Sequence, residues 1–268
     1  IVGGTESMSQ MPFYFSKPAV AKFAAMSRAR DLKGRAMAAL RFRPADFEPV
    51  IGLKLGLTDP VCALNMGQTA EVLAREFGID RDVKDAFAMR SHLRATQATH
   101  LLNQQIAPVL GKTTVSTDNG IRADSSLDKL AKLKPLFDSL TGTVTAGNAS
   151  QVTDGAVALL VASEEAAAAH GWKPLGRLVS YAATGCDPMR MGLGPVRAME
   201  AALHRAGWKL GDADVVEINE AFAAQVLAVM KCLADPASAR RAGLEAPLGE
   251  LDPSKVNPCG GAIALGHP

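Results

Sequence analysis

Apolar strand-like segments alternate with helical ones after residue 150, and this alternation constrains the fold more than any other feature. The run AVALLVA at 156–162 is typical of a strand covered on both faces, whereas SEEAAAAHG predicts a short Ala-rich helix closed by Gly171. Further strands are predicted over 174–185 and 214–218, and further helices over 193–207 and 219–234. Such a chain is expected to be an α/β protein with a mainly parallel, doubly covered sheet.

Helix signals dominate the first 150 residues instead. The segment GQTAEVLAREFGI places four apolar side chains on one helical face: Ala70, Leu73, Ala74 and Phe77. Asp80 suits an N-cap for a long helix through Thr99, and Ser125 has capping-box spacing to Asp128. Further along, residues 234–255 are polar and contain prolines, which predicts a surface insertion.

Composition narrows the class of protein. The 268 residues are 48% apolar and 21% charged with a net charge of +2, which indicates a globular protein without a polyanionic partner. We therefore expect no nucleic-acid binding. Four cysteines without a CxxC pair argue against a metal site or a dense disulfide framework, and they favour a reducing, cytoplasmic compartment. No apolar run reaches the roughly 18 to 20 residues of a membrane span.

The first four residues, IVGG, resemble the N-terminal peptide of an activated trypsin-like protease. Such a protease also needs a Ser, His and Asp constellation, marked by a nucleophile loop similar to Gly-Asp-Ser-Gly-Gly. The sequence contains no such loop, and its many helix signals do not suit a barrel of short strands. The sequence therefore argues against a protease.

Two polar residues are candidates for chemistry. Asn219 follows a predicted strand at a strand-to-helix junction, where it either caps the helix or reaches into a cleft at the carboxyl ends of parallel strands. His267 follows a glycine-rich run that allows a ligand to approach the backbone closely. A single loop histidine is also commonly just solvated, so both interpretations remain open.

The stretches around these two residues resemble thiolase motifs. INEAFAAQ and GGAIALGHP are similar to the Asn-Glu-Ala-Phe and Gly-His-Pro motifs of that family. GGTESMS, LTDPVCALNMGQTAE and GTVTAGNAS are similar to further thiolase blocks in the same order. The resemblance implies a layered αβαβα core with an inserted helical loop domain, here truncated at both termini. It implies these boundaries: 1–18 for the end of the N-terminal core half, 19–150 for the loop domain, 151–170 for the return and 171–268 for an incomplete C-terminal half.

Thiolases transfer an acyl group between 3-ketoacyl-CoA and CoA, or run the reverse Claisen condensation, so the resemblance implies CoA as a substrate and no cofactor. It implies that His267 activates a cysteine nucleophile and that Asn219 holds a water in the oxyanion hole. It also implies a homo-oligomer. By the same resemblance, the substrate-binding residues are Leu57, Met66, Arg122, Phe137, Ala146, Ser150, Ala221 and Phe222.

Neither family cysteine falls within this sequence, because the nucleophile belongs upstream of GGTESMS and the second cysteine downstream of Gly-His-Pro. Packing roles are expected for all four cysteines present: Cys62, Cys186, Cys232 and Cys259. The 268-residue chain is therefore expected to be inactive. The alternative is a non-catalytic CoA-binding or assembly protein derived from a thiolase.

Two departures from the family pattern bear on substrate choice. Asn65 stands where similar short-chain thiolases often carry His, and Lys129 stands where a Ser often contacts CoA. Together with the insertion before Ser254, these departures favour a broader, longer-chain 3-ketoacyl-CoA specificity. Lys129 itself is expected either on a solvated helix face or beside a CoA phosphate.

Overall fold

The computed structural model describes residues 1–267, which form four short strands and eleven α-helices. The strands are β1 (Val2–Ser7), β2 (Phe13–Tyr14), β3 (Val50–Ile51) and β4 (Asp154–Leu159). The helices are α1 (Lys17–Arg28), α2 (Leu32–Ala39), α3 (Gly52–Gly56), α4 (Met66–Glu76), α5 (Arg81–Leu102), α6 (Leu127–Ala131), α7 (Glu164–Ala169), α8 (Gly194–Ala206), α9 (Ala223–Ala234), α10 (Pro236–Arg241) and α11 (Ala262–Leu265).

Two compact units make up the chain, and the smaller one is Met8–Asn65. Its strands β2 and β3 pair antiparallel, with Phe13 opposite Ile51. A cluster of four aromatic rings, with centroids 4.7 to 6.3 Å apart, joins Phe15, Phe23, Phe42 and Phe47. Each such ring pair contributes roughly 0.5–1.5 kcal/mol beyond area burial, so this cluster helps to stabilise the smaller unit.

The larger unit consists of Ile1–Ser7 and the chain from Met66 onward, and its core surrounds α9. Val226 and Val229 of α9 are fully buried and belong to one apolar cluster with Leu73 of α4. Helix α9 also contacts α5, α8 and α10. Complete burial of an aliphatic side chain contributes about 1.5–3 kcal/mol, so α9 is the central element of this unit.

An antiparallel pair of strands joins the first residues to a segment in the middle of the chain, with Val2 of β1 opposite Leu159 of β4. Glycine is required at Gly3, because a Cβ there would lie 2.4 Å from the carbonyl oxygen of Val157. The strand predicted at 156–162 is therefore confirmed. The prediction that it is covered on both faces is wrong for residues 1–267, since five of the six β4 residues are exposed and only β1 pairs with it.

Neither of the other two predicted strands forms in the described part of the chain. Segment 174–185 has no strand pairing, and segment 214–218 has a single parallel bridge, from Val216 to Val256. At this bridge Val216 donates its N–H to the Lys255 carbonyl at 3.0 Å. A strand needs a neighbour for its backbone groups, and an apolar pattern alone does not supply that neighbour.

Helix boundaries agree more closely with the predictions. Asp80 is the N-cap of α5, which continues to Leu102, and glycines in the left-handed region end α7 (Gly171, φ 64°) and α8 (Gly207, φ 69°). One cap is displaced by one residue, because Ser126 rather than Ser125 accepts from the N3 backbone N–H of α6. No helix among residues 1–267 is both long enough and apolar enough to cross a membrane.

Residues 234–255 are not a surface insertion. They form α10 and bury Ala239, Leu244 and Leu251 in the core cluster around α9. The Arg241 guanidinium donates to the Glu76 carbonyl at the end of α4, at 3.1 Å. Three widely spaced apolar side chains are enough to dock the segment, although its average composition is polar.

Candidate active site

Asn219 and His267 are 48 residues apart in sequence and in contact in the structure. The Asn219 Nδ2 lies 3.2 Å from Nδ1 and 3.4 Å from Nε2 of His267. Both residues are exposed. Helix α9 begins at Ala223 with Phe222 as its N-cap, so Asn219 does not cap it. The interpretation that Asn219 only caps a helix is therefore wrong, and its exposed amide lies against the His267 ring instead.

A sharp turn after α11 presents His267. Gly266 has φ 104°, a conformation that favours glycine, and a Cβ there would lie 2.4 Å from the Thr153 hydroxyl oxygen. Gln151 also holds α11, since its Nε2 donates to the carbonyls of Ile263 and Ala264 at 3.3 and 3.4 Å. The backbone that carries the imidazole is thus placed by the side chains of Gln151 and Thr153.

Backbone hydrogen bonds hold the loop at 145–150 beside the segment that follows Asn219. Ser150 donates to the Ala221 carbonyl at 2.9 Å, and Ala223 donates to the Asn148 carbonyl at 2.9 Å. Between them, Ala149 forms an antiparallel bridge with Phe222. Three predicted substrate-binding residues therefore share one place in the fold: Ser150, Ala221 and Phe222.

An aromatic wall continues this region. Phe137 meets Phe222 edge to face, with ring centroids 6.0 Å apart and an interplanar angle of 85°. The Phe137 ring also lies against Gly67, where a Cβ would fall 2.4 Å from ring carbons. Met66 precedes this glycine at the start of α4. Partly buried aromatic and thioether side chains are typical of a wall that binds an apolar ligand.

The remaining predicted contacts are more dispersed. Ala146 is exposed at the turn of the loop at 145–150, and Leu57 follows α3 within the unit Met8–Asn65. Lys129 is paired with the carboxylate of Asp124, and both side chains are largely exposed. This placement fits the solvated helix face expected for Lys129.

Arg122 is attached to the same region through its backbone. Its N–H donates to Nδ1 of the buried His92 at 3.2 Å, and Gln151 Nε2 donates to the Gly120 carbonyl at 2.9 Å. Burial lowers the pKa of His92, and the positive charge of Arg122 lowers it further. A neutral imidazole can accept the Arg122 N–H, so the chemistry and the geometry agree. The Arg122 side chain itself is exposed.

All four cysteines are free thiols, and none forms a disulfide. Cys232 is fully buried, and burial raises the pKa of its thiol to about 11. Cys186 is exposed and donates weakly to the Met191 carbonyl at 3.8 Å, while Cys62 and Cys259 are half-buried. Among residues 1–267 no group of three or more His, Cys, Asp and Glu side chains is arranged to hold a metal ion.

Sequence reasoning missed several polar residues that shape this region. Four of these residues are buried: Glu220, Ser91, Asn257 and Asn148. Each forms hydrogen bonds with a segment next to a candidate residue, or with another of the four. Two of them stand inside motifs that were recognised, Glu220 in INEAFAAQ and Asn148 in GTVTAGNAS. No sequence pattern marks Ser91, because a serine within a helix commonly has no functional role.

Residues 1–165 match the family model of the thiolase N-terminal domain, and residues 172–268 match that of the thiolase C-terminal domain. The chain belongs to the thiolase family. The layered α/β fold of this thiolase is confirmed by the crystal structure of human mitochondrial 3-ketoacyl-CoA thiolase in complex with CoA. That structure matches with a TM-score of 0.77 and 40% identity, over 99% of this chain and 59% of that chain.

Three curated relatives illustrate the names given to similar proteins. The mitochondrial 3-ketoacyl-CoA thiolase of Mus musculus is 40% identical over the whole chain, which corresponds to 60% of the relative. The acetyl-CoA acetyltransferase of Shinella zoogloeoides is 47% identical over 81% of this chain and 53% of its own. The beta-ketothiolase BktB of Cupriavidus necator is 41% identical over the whole chain and 61% of its own. The chain thus spans about three fifths of the length of these relatives.

Proposed function

We propose that this thiolase transfers an acyl group between 3-ketoacyl-CoA and CoA, giving acetyl-CoA and a shortened acyl-CoA, or runs the reverse condensation. The observation that carries this proposal is the contact between the Asn219 amide and the His267 imidazole. Both groups belong to motifs of the family, and an amide beside an imidazole can donate to a developing oxyanion. The names of the relatives support the same reaction class.

In the proposed thiolysis, a cysteine thiolate attacks the 3-keto carbon, and the bond between C2 and C3 breaks. The acetyl-CoA carbanion leaves and takes up a proton. The acyl group then passes from the cysteine sulfur to the sulfur of CoA, which gives up its thiol proton as the cysteine thiolate is released. His267 activates the cysteine and polarises the thioester oxygen, while Asn219 orients a water in the same hole. Both roles require side chains that reach the cleft, which agrees with their exposure.

The substrate arm is proposed to lie along the aromatic wall. Phe137 and Phe222 offer apolar ring edges, and Ser150 and Ala221 border the loop beside them. Met66 and Ala146 are proposed to add apolar surface to the pantetheine and acyl pocket, and Arg122 to face the nucleotide end. Leu57 is proposed as the substrate contact of the unit Met8–Asn65. Preference for longer acyl chains, homo-oligomerisation and a cytoplasmic location belong to the same proposal, as does the absence of a metal or cofactor requirement.

No cysteine of residues 1–268 suits the nucleophilic role, which requires an accessible and easily deprotonated thiol. Cys232 fails on both counts, and the other three lie outside the cysteine motifs of the family. We therefore expect the 268-residue chain to bind CoA without turning over 3-ketoacyl-CoA. The experiments must distinguish this proposal from the alternative, in which the protein binds CoA but has no catalytic role.

Two measurements test the proposal. Calorimetric titration of the 268-residue chain with CoA should show saturable binding that Arg122→Gln weakens, while Arg28→Gln, an exposed arginine of α1, leaves it unchanged. Acetyl-CoA release should be absent for this chain and present for any form of the protein that also supplies the cysteine blocks. Turnover by residues 1–268 alone would contradict the cysteine assignment. CoA binding without turnover in the cysteine-containing form would favour the non-catalytic alternative.

A further inference from the structure

Glu220, the residue after Asn219, carries a buried carboxylate whose two oxygens both accept hydrogen bonds. Only 1% of the residue is exposed. Its Oε2 accepts from the Ser91 hydroxyl at 2.6 Å and from the Ile263 N–H at 3.3 Å, and its Oε1 accepts from Asn257 Nδ2 at 2.8 Å. No lysine, arginine or histidine among residues 1–267 forms an ion pair with it. The hydrogen-bond donors to the carboxylate are therefore all neutral, and Arg90 adds an electrostatic interaction without a direct ion pair.

The three donors come from separate parts of the fold. Ser91 lies on α5, whereas Asn257 and Ile263 belong to the segment that leads to His267. Ser91 also accepts from the Gly261 N–H at 3.1 Å. One carboxylate next to Asn219 thus joins a long helix to the segment that carries His267.

Close packing around the carboxylate supports this role. A Cβ at Gly261 would lie 2.4 Å from the Glu220 carboxyl carbon, and a Cβ at Gly260 would lie 2.6 Å from the Ser91 carbonyl oxygen. Gly260 also has φ 77°. The two glycines therefore let the chain before α11 approach both Glu220 and α5 more closely than any other residue would allow.

Asn257 extends the same network to the backbone before Asn219. Its Nδ2 donates to the Ile218 carbonyl and its Oδ1 accepts from the Ile218 N–H, both at 2.8 Å. Asn257 itself is 2% exposed. The residues on each side of Asn219 are thus both fixed to Asn257, which leaves the Asn219 side chain as the free group of this segment.

We propose that Glu220, together with Ser91, is a positioning residue that sets the distance between Asn219 and His267. This inference rests on the proposed function for its kinetic part only. A buried carboxylate that accepts three hydrogen bonds from two elements holds those elements in one arrangement, because moving either leaves a charged oxygen without a donor. None of the three donors belongs to Asn219 or His267, so Glu220 acts through the backbone.

Glu220→Gln is the informative substitution because it preserves shape and changes one oxygen into a donor. If the new amide nitrogen faces Ser91 and Ile263, it meets the Ile263 N–H, and if it faces Asn257, it meets the Asn257 amide. Both orientations place a donor against a donor. The matched control is Glu217→Gln, three residues earlier in the same segment. Partial burial and the Glu220 charge raise the pKa of Glu217, so this control removes a neighbouring charge while leaving the hydrogen bonds of Glu220 in place.

Two readouts separate positioning from general stability. In the folded 268-residue chain, magnetisation transfer between the Asn219 side-chain amide protons and the His267 ring should be lost in Glu220→Gln and Ser91→Ala and retained in Glu217→Gln. In a form that turns over 3-ketoacyl-CoA, Glu220→Gln should lower kcat about 10- to 100-fold and change KM less than twofold.

Retention of the Asn219–His267 contact in both variants, or an equal kcat loss in Glu217→Gln, would overturn the inference. If Glu220→Gln does not fold, Ser91→Ala and Gly261→Ala decide the same question, since each disturbs one side of the network. The contact is measured without CoA. Failure of CoA binding would thus refute the proposed function while leaving the positioning result to stand on its own.

Discussion

The buried imidazole of His92 accepts the backbone N–H of Arg122 at 3.2 Å, across 30 residues of sequence. This bond exists only while Nδ1 is unprotonated. Because burial and the Arg122 charge lower the pKa of His92 in the folded protein, the folded state binds a proton less readily than the unfolded chain. His92 therefore makes the stability of the fold depend on pH.

The first prediction concerns that dependence. Stability from His92 is fully present above the ordinary histidine pKa of about 6.5 and is lost as the pH falls below it, since the unfolded chain gains its proton first. Urea unfolding at pH 7 and pH 5.5 measures how far the free energy of unfolding falls between the two pH values. This fall should be smaller for His92→Gln than for the parent chain. His204→Gln, an exposed histidine of α8, should behave like the parent. An equal decrease in all three proteins would contradict the prediction.

A second prediction concerns Asn219 in a form of the protein that turns over. Asn219→Ala should lower kcat more than it weakens CoA binding, because the amide is proposed to act mainly in the transition state. Loss of one oxyanion donor lowers kcat by about 10²- to 10³-fold. Asn103→Ala, at the exposed C-cap of α5, is the control. Equal losses in kcat and CoA affinity would mean that Asn219 is chiefly structural.

A third prediction tests the aromatic wall. Gly67→Ala would place a methyl group 2.4 Å from the Phe137 ring, so the free energy of unfolding should fall by about 1–3 kcal/mol. The double variant with Phe137→Leu should recover part of this loss. Gly56→Ala in α3 has open space around the new methyl group and should be nearly neutral. Additive effects of the Gly67 and Phe137 changes would show that the two residues do not share this contact.

A fourth prediction concerns Lys84, which is fully buried. Its Nζ donates to the Ile79 carbonyl at 2.8 Å and to the Thr143 hydroxyl at 2.6 Å. Lys84→Met preserves volume but removes a positive charge that interacts with the buried Glu71, so a loss of about 3–5 kcal/mol is expected. Urea unfolding measures it, with the exposed Lys132→Met as a control that should stay within about 0.5 kcal/mol. A loss as small as that of the control would contradict the account.

Much of the helical part of this thiolase follows from local sequence. Asp80, Gly171 and Gly207 act through their own backbone geometry, so the ends that they set are readable without a tertiary structure. Strands do not have this property. Segment 214–218 is apolar enough to be a strand, yet it makes one parallel bridge because pairing depends on a partner that the pattern does not specify.

The candidate site divides in the same way. Asn219 and His267 could be named from their motifs, and the structure brings their side chains together. Ser91 could not be named, because its importance comes from Glu220, 129 residues away. Buried polar networks are assembled by tertiary contacts, and single-sequence patterns record only the residue types.

Ser91 and His92 are consecutive residues of α5 that serve two different loops, one through Glu220 and the other through Arg122. Each residue turns a helix by about 100°. Inserting or deleting one residue between Asp80 and Ser91 would rotate both side chains away from their partners at once. The first half of α5 should therefore be constrained in its length as well as at buried positions such as Lys84.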